Sequence, residues 1–496
     1  MRTAARTLLA IAFMTAWVDA AGAQLGPDGS AIGTSNYTVD LTRGVVVSTS
    51  RVLGLSGAAT SLAQGVEGGL QNPSAVAYRG PQWPDWYDYW LALGLTYPFQ
   101  SGDFYNSGGF ANGGRRASDD STFFLVPGAY FQMWNLGIGL TIDAQFIKLR
   151  GVQDPVGNTQ DTLRLRFTTF HIQAGYGFLD GQLIIGAGLR ILRQRAYLSK
   201  DFLVRGDDLS KSLGLGAEVG VMVRPHHKPW GLGASLFPQL STGLRSGGNA
   251  TETPDGDLVI GSFFLPRDTR LPTTGSVGFS YQFGPRPSNP PWVSAGQLAS
   301  DELARLDHRK QRMKEKEQEE LEAARQRGGP DLALCLQLIE QRYARKYAKL
   351  KHARKEMKKL AWDQLRQQYR WDWPRRYYLL TADLWFNGRL ENAVGIESFL
   401  FQTVQRSGER ITISPRLGFE TEVWPTRMKL RAGTYLEPSR FEQTNARVHG
   451  TFGFDVSLFK WDVFGLWPDD YRWQITTAFD FTRAYAAFSF GIGGWY

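Results

Sequence analysis

The residues able to do chemistry in this 496-residue chain are six scattered histidines, one cysteine and a set of charges that recur on alternating segments. His171, His226, His227, His308, His352 and His449 stand far apart, and His226-His227 follows Pro225 in a stretch that reads as an exposed turn. H-E-x-x-H, P-loop, G-x-S-x-G and cysteine-cluster motifs are missing from the sequence. Cys335 stands alone, so no intrachain disulfide and no lipid anchor near the start is expected. The expectation is a protein that is not an enzyme and needs neither cofactor nor metal. A serine beside His171 or His449 is the one arrangement that would give hydrolysis.

The charges carry a pattern instead. Asp143, Glu218, Arg416, Glu420, Lys429 and Arg431 each fall on the polar side of a segment whose other side is apolar. In 136–146 the residues Leu136, Ile138, Leu140 and Ile142 share one face, and Thr141, Asp143 and Gln145 share the other. Leu215, Val219 and Val221 alternate with Gly216, Glu218 and Gly220; Met428, Leu430 and Ala432 alternate with Lys429, Arg431 and Gly433. Period two over ten or more residues predicts strands, here about fourteen and up to sixteen. Ala393–Phe401 is read as one of them.

A sandwich core and a lipid-facing wall both produce that period. Strand length favours lipid, because a tilted strand needs about ten residues to cross the hydrocarbon. Tryptophans near strand ends (Trp83, Trp86, Trp90, Trp134, Trp371, Trp373, Trp424, Trp467 and Trp495) suit an interfacial girdle. Charges on the polar face suit a wet lumen. Links alternate between short turns, as at Trp134-Asn135 and Asp180-Gly181, and long loops, as at 100–120 and 246–270. The fold class expected is an all-β transmembrane barrel of antiparallel strands, with an N-terminal plug and a charged helical hairpin inserted in it.

The segments divide as follows. Residues 1–23 form a signal peptide, with Arg2 and Arg6 before a short apolar run and Ala21-Gly22-Ala23 as the cleavage site. Residues 24–80 hold a polar lead and a plug, 81–284 and 375–496 the two sets of strands, and 285–374 the insert. Between Leu298 and Arg370 about nineteen Lys and Arg face about twelve Asp and Glu. Most of the chain's net charge of +9 therefore belongs to the insert, and nucleic acid is not expected as a partner. Two helices broken by Gly328-Gly329-Pro330 are predicted there, the first capped by Ser300. The dense lysines of the second suit an anionic envelope polymer or an acidic protein, or simply solvent. Strand parity counted from the N-terminal half puts the insert on the periplasmic side.

Two further segments are distinctive. The run Phe488, Phe490, Ile492 and the terminal Tyr496 alternates to an aromatic end, as a signal read by barrel assembly machinery does. Arg51 to Ala75 is too rich in glycine and alanine for a lipid-facing strand, and Asn72-Pro73 forces a turn in it.

This last segment resembles the opening of the FadL-like outer-membrane proteins, which include fatty-acid and aromatic-hydrocarbon channels and PorV-like secretion components. Their pattern R-x-L-G-[LM]-x-G-A followed by N-P-[AS] is matched by Arg51, Leu53, Gly54, Leu55, Gly57 and Ala58, then Asn72, Pro73 and Ser74. Where the family often has an acidic pair before N-P, this chain keeps Glu67 alone. The resemblance implies a hatch inside a fourteen-stranded barrel. It further implies an outer-membrane channel for hydrophobic or amphipathic small molecules, surrounded by lipid and lipopolysaccharide. The alternative it leaves open is a scaffold or secretion partner whose helical insert recruits a protein or envelope polymer.

Overall fold

The computed structural model describes residues 25–495 except 63, 81–84, 102, 109–122, 154–159, 200–207, 247–249, 261–262 and 466–471. The expected signal peptide and Tyr496 therefore lie outside the described residues.

After a short strand β1 (Thr38–Asp40), the wall begins with β2 (Tyr87–Ser101), β3 (Phe123–Met133), β4 (Leu136–Gln153), β5 (Gln160–Phe178), β6 (Leu183–Ser199) and β7 (Asp208–Val223). It continues through β8 (Trp230–Phe237) and β9 (Leu240–Ser246). A small outer sheet follows: β10 (Thr251–Glu252), β11 (Leu258–Ile260) and β12 (Phe263–Phe264). The wall resumes with β13 (Asp268–Leu271), β14 (Thr274–Phe283) and β15 (Tyr378–Asn387), then a short β16 (Ala393–Gly395). β17 (Thr412–Trp424), β18 (Met428–Glu437), β19 (Arg447–Lys460), β20 (Arg472–Thr482) and β21 (Tyr485–Gly494) complete it. β8 with β9, and β13 with β14, are single strands broken at Pro238 and Pro272, so the wall has fourteen staves. All are antiparallel. The ring closes where β21 pairs with β2, with Phe488 opposite Tyr97, Phe490 opposite Leu95 and Ile492 opposite Leu93.

Closure follows from the period-two pattern. Leu136, Ile138, Leu140, Leu213, Leu215 and Val219 point outward and are exposed, whereas Thr141, Asp143, Gln145 and Glu218 between them are buried. Apolar side chains standing outward around a closed ring need hydrocarbon as solvent, and closure leaves no unpaired edge within it. No described helix is long and apolar enough to cross a membrane.

The two ends of the barrel differ. One, the turn end, carries the β3–β4 reversal with Trp134 at φ 54°, the Leu179–Gly181 turn and the 425–427 turn. Exposed Trp86, Trp134, Trp424 and Trp461 all lie at this end and make an aromatic belt on one rim. Trp90, Trp373 and Trp495 are buried instead, a correction to their reading as girdle residues. Trp495 lies beneath the Lys429 ammonium, 4.5 Å from its ring. Trp83, Trp371 and Trp467 lie outside the described side chains.

The opposite, loop end is built differently from the sequence reading. Ala393–Phe401 is a three-residue strand followed by helix α6 (Ile396–Phe401), because Ile396, Phe399 and Leu400 bury together at helical spacing. Above Thr274 and Asn387, β14 and β15 part company. β1 inserts there, parallel to both neighbours, with Thr38 opposite Asp268 on one side and Ala393 on the other. The N-terminal lead is thus part of the rim. Three residues of Thr-Val-Asp are too short to show a period, so the pattern did not reveal it.

The insert leaves from the turn end. α3 (Ala295–Leu298) is capped by Ser294, whose hydroxyl accepts from Gln297 N at 3.1 Å while Gln297 Oε1 accepts from Ser294 N at 2.8 Å. This reciprocal box, not Ser300, starts the helical region. α4 (Ser300–Arg327) and α5 (Leu332–Arg366) then form a hairpin across Gly328 and Gly329, both at positive φ. Tyr343 and Tyr347 of α5 donate to Glu320 and Glu317 of α4 at 3.0 and 2.5 Å. At the base, Trp362 Nε1 donates to Asp85 Oδ2 at 3.2 Å and ties the hairpin to the barrel end.

Candidate functional site: the hatch and the lumen it fills

From β1 the chain runs down through the lumen. α1 (Ser50–Gly54), α2 (Gly65–Gly68) and a 3-10 turn at Pro73–Ala77 fill it before the chain leaves at the turn end. Leu53, Leu55, Ala58, Ser61, Asn72, Ser74 and Ala75 are all essentially inaccessible to solvent. Small residues permit this on both partners. A Cβ added to Gly220 of β7 would lie 1.9 Å from Asn72 Oδ1, one on Gly186 of β6 2.4 Å from Ser74 N, and one on Gly233 of β8 2.2 Å from Thr60 O. Gly453 of β19 faces Gly54, whose Cα would lie 3.3 Å from its added Cβ. The glycines that alternate with outward apolar residues are therefore the floor on which the hatch backbone rests.

Asn72-Pro73 is a cap. The Asn72 carboxamide accepts from Ser74 N at 3.0 Å and from Ser74 Oγ at 2.7 Å, and donates to Thr60 O at 2.9 Å and Val221 O at 3.0 Å. One side chain starts the turn, joins it to an earlier hatch segment and fixes both to the wall. Gly57 has φ 73°, and a Cβ there would fall 2.4 Å from Arg416 Nη1. Leu53 packs with Val46, Tyr435 and Ala478.

A charge chain links hatch to wall. Arg51 of α1 donates to Glu420 of β17 through Nε at 3.2 Å and Nη2 at 3.3 Å, and to Glu67 of α2 through Nη1 at 3.3 Å. Glu420 also accepts from Arg431 Nε at 2.6 Å and from the Tyr377 hydroxyl at 2.8 Å, and Arg431 Nη2 donates to Asp455 at 2.5 Å. Burial alone would lower the Arg51 pKa; Glu420 and Glu67 hold it above the ordinary guanidinium value. The single acid kept in the hatch helix thus serves the same arginine as the wall carboxylate.

The other lumen charges predicted from sequence occupy separate stations. Asp143 pairs with Arg43 of the N-terminal lead, at 3.0 Å from Nη1. Glu218 accepts from Gln173 at 2.7 Å and meets His171 Nδ1 at 2.7 Å. The Arg416 guanidinium stacks over Trp385, 4.4 Å from the ring centroid. Of the set, Glu420 bonds the hatch arginine directly, and Arg431 joins it through Glu420. Sequence reading missed Arg43, Tyr377 and Asp455, although opposite charges on the polar faces of adjacent strands were a usable sign. It also missed the His449 cluster. His449 meets Asp480 Oδ1 and Glu437 Oε2, each at 2.7 Å, and stacks on Tyr435 with ring centroids 4.2 Å apart. His171 Nδ1 and both ring nitrogens of His449 are engaged with carboxylates.

Between lead, hatch and wall lies a cavity of about 160 Å³, bordered by Arg43, Val46, Gln71, Phe237, Pro272 and Trp385 among others. It abuts an interruption of the wall. β7 pairs with β8 over Val219–Val223 and with β9 over Ser210–Leu213, and the ladder is interrupted between. Arg190 spans part of that interval by donating to Pro238 O.

No family model matches the chain, and no curated protein matches it. Among solved structures it is similar to a FadL homologue of Pseudomonas aeruginosa, at 11% identity and a TM-score of 0.44 over 91% of this chain and 99% of that one. It is also similar to the CymD monoaromatic hydrocarbon channel, at 10% identity and 0.45 over 91% and 97%. The P. putida toluene transporter TodX matches at 11% identity and 0.46 over 91% and 98%.

Proposed function

We propose that this protein is an outer-membrane channel that admits hydrophobic or amphipathic small molecules past an N-terminal hatch. The observation that carries the reading is the position of the lumenal cavity: beneath the rim strand β1, against the hatch, and beside the interrupted ladder at Pro238 and Pro272. A barrel meant only as an anchor has no need of a partly apolar chamber beside an interruption of its wall. The charge chain from Glu67 to Asp455 holds the hatch across the lumen and so blocks free passage of water-soluble solutes.

A reversible cross-link tests this. Ser50 Oγ of α1 lies 2.9 Å from Ser489 Oγ of β21, so Ser50→Cys with Ser489→Cys in a Cys335→Ser background places two thiols for a hatch–wall disulfide. If passage requires the hatch to move, oxidation stops uptake of an apolar tracer into proteoliposomes and reduction restores it. Unchanged uptake in the oxidised barrel would remove the hatch from the gating role and leave the wall interruption as the route. No uptake by the unmodified protein in either redox state would reject the channel altogether.

A second reading, a scaffold that recruits a partner, is favoured by the insert. Leu334, Leu338 and Leu360 of α5 are more than half exposed on a rod tied to the barrel at its base. Removing residues 298–370 separates the two: a channel keeps its uptake, and a scaffold keeps its barrel and loses its purpose.

A further inference from the structure

The two helices of the insert differ sharply in charge. α4 holds eight Lys and Arg against eight Asp and Glu, whereas α5 holds ten against three. Contacts between the helices use little of that excess. Arg342 pairs with Glu320 and Arg354 with Asp307, and the Lys346 ammonium lies 4.3 Å from the Tyr343 ring centroid. Arg345, Lys349, Lys351, Lys355, Lys358 and Lys359 are exposed and form no ion pair among the described residues. The one acid between Arg342 and Lys359 is Glu356, and it lies 4.0 Å from His352 Nε2.

Helical geometry sorts these cations. Tyr343 is buried against α4 and marks the inner seam. Counted from it at 3.6 residues per turn, Lys351, Lys355 and Lys358 form a row on one flank, and Arg345, Lys349 and Lys359 a row on the outward face. The rows start within a turn of Trp362, where the hairpin is tied to the barrel, and cover about 20 Å of the rod. From Arg345 to Lys359 no large apolar side chain is exposed, so the stretch has none of the anchors on which a protein partner would be seated. A flat membrane would meet one row; a flexible chain can follow both. A single exposed ion pair contributes little, so the ligand must repeat its charge. Five of the six cations are lysines, compact point charges on flexible stems rather than forks cut for one defined partner.

From this arrangement we infer that α5 holds the anionic polymer of the cell wall, peptidoglycan, through the free carboxylates of its peptide stems. The hairpin leaves from the end with the short turns, the periplasmic end of an outer-membrane barrel, which is the side on which that polymer lies. Repeated carboxylates along a flexible chain meet the two lysine rows in turn, and α4, neutral overall, serves as the splint that keeps α5 straight. The inference rests on the recruiting role of the insert and names its partner; it requires nothing to be transported.

Co-sedimentation of the purified full-length barrel in detergent with purified peptidoglycan sacculi tests the inference. Binding should be saturable at about 50 mM NaCl and largely lost at about 500 mM, where screening is much shorter in range. Sacculi whose carboxylates have been converted to neutral amides should bind the unmodified protein tenfold or more weakly. Replacing Lys349, Lys351, Lys355, Lys358 and Lys359 together by Gln should cause the same loss, while gel mobility of the unboiled protein still reports a compact barrel. If that variant fails to fold, the amidated sacculi decide with the natural chain. Equal sedimentation with native and amidated sacculi, full binding by the compact variant, or no sedimentation at low salt overturns the inference. Tighter binding to phosphatidylglycerol vesicles than to sacculi overturns it in favour of the membrane. None of these outcomes depends on uptake, so the channel stands or falls separately. A partner lost on removing residues 298–370, with no binding to sacculi, would keep the recruiting role and reject the wall as its object.

Discussion

Arg51 of the hatch faces Glu420 of the wall through two nitrogens, Nε at 3.2 Å and Nη2 at 3.3 Å, and the same carboxylate is held from the other side by Arg431. Two guanidinium groups thus share one buried anion, and each has a further acid of its own, Glu67 for Arg51 and Asp455 for Arg431. Removing the shared member leaves both arginines close to each other with half their compensation. Glu420→Gln should therefore destabilise the folded protein by about 3–5 kcal/mol, the usual cost of breaking a buried ion pair. Protease cleavage within the hatch and the temperature at which the compact gel band disappears would show it. Unchanged values of both would mean that the hatch is seated by packing alone.

Steric contact with the hatch makes a sharper distinction between glycines of the wall. Gly220→Ala would drive its methyl into Asn72 Oδ1, whereas a Cβ on Gly243 meets nothing within 4 Å. The first substitution should cost about 1–3 kcal/mol and loosen the hatch, as overpacking does. The second should leave stability and hatch protection as they are. Equal thermal midpoints for the two variants would contradict the close seating.

Glu397 of α6 sets a pH dependence at the loop end. It accepts from the Ser107 hydroxyl, and burial raises its pKa to about 7, with Ser107 opposing and Asp103 adding to the rise. Between the ordinary carboxyl value and about 7 the folded protein keeps a proton that the unfolded chain has released. Stability therefore falls as pH rises through that window, by about 3 kcal/mol at most, and levels off above it. Glu397→Gln should remove the slope. The midpoint of thermal loss of the compact band, compared at pH 5 and pH 8, would reveal a wild-type slope of opposite sign if the carboxylate form were the favoured one.

Cys335 reports orientation. It is exposed on α5 near the hairpin turn, and the hairpin leaves from the end with the short turns. Short turns face the periplasm in outer-membrane barrels. A bulky membrane-impermeant maleimide should leave intact cells unlabelled at Cys335 and label it once the outer membrane is permeabilised. Labelling of intact cells would reverse the barrel.

The wall was legible in the sequence because one rule, period two over long segments, governs it locally. Leu136 to Phe146 needed no tertiary information to be placed. The hatch was legible by composition and by Asn72-Pro73, and Gly57 and Asn72 prove to have contacts that demand those residue types. Partnerships were not legible. Arg43 with Asp143 joins residues a hundred positions apart, and Arg79 meets Trp292 across more than two hundred, so no local pattern could announce them. β1 and α6 were missed for a related reason. Each is short, and each is decided by what covers it rather than by its own periodicity.

The rim strand β1 and the exit at Tyr78 lie at opposite ends of a ring whose seam joins β2 to β21. The first segment of the folded chain is thus threaded lengthwise through a hoop that only the last strand can fasten. Gly186, Gly220 and Gly233 leave the thread no slack, since even a methyl group at those positions meets it. A cord drawn that tightly enters a finished hoop with difficulty and is easily wrapped by an unfinished one. The topology thus holds the thread inside a loop that the pairing of the first long strand with the last closes.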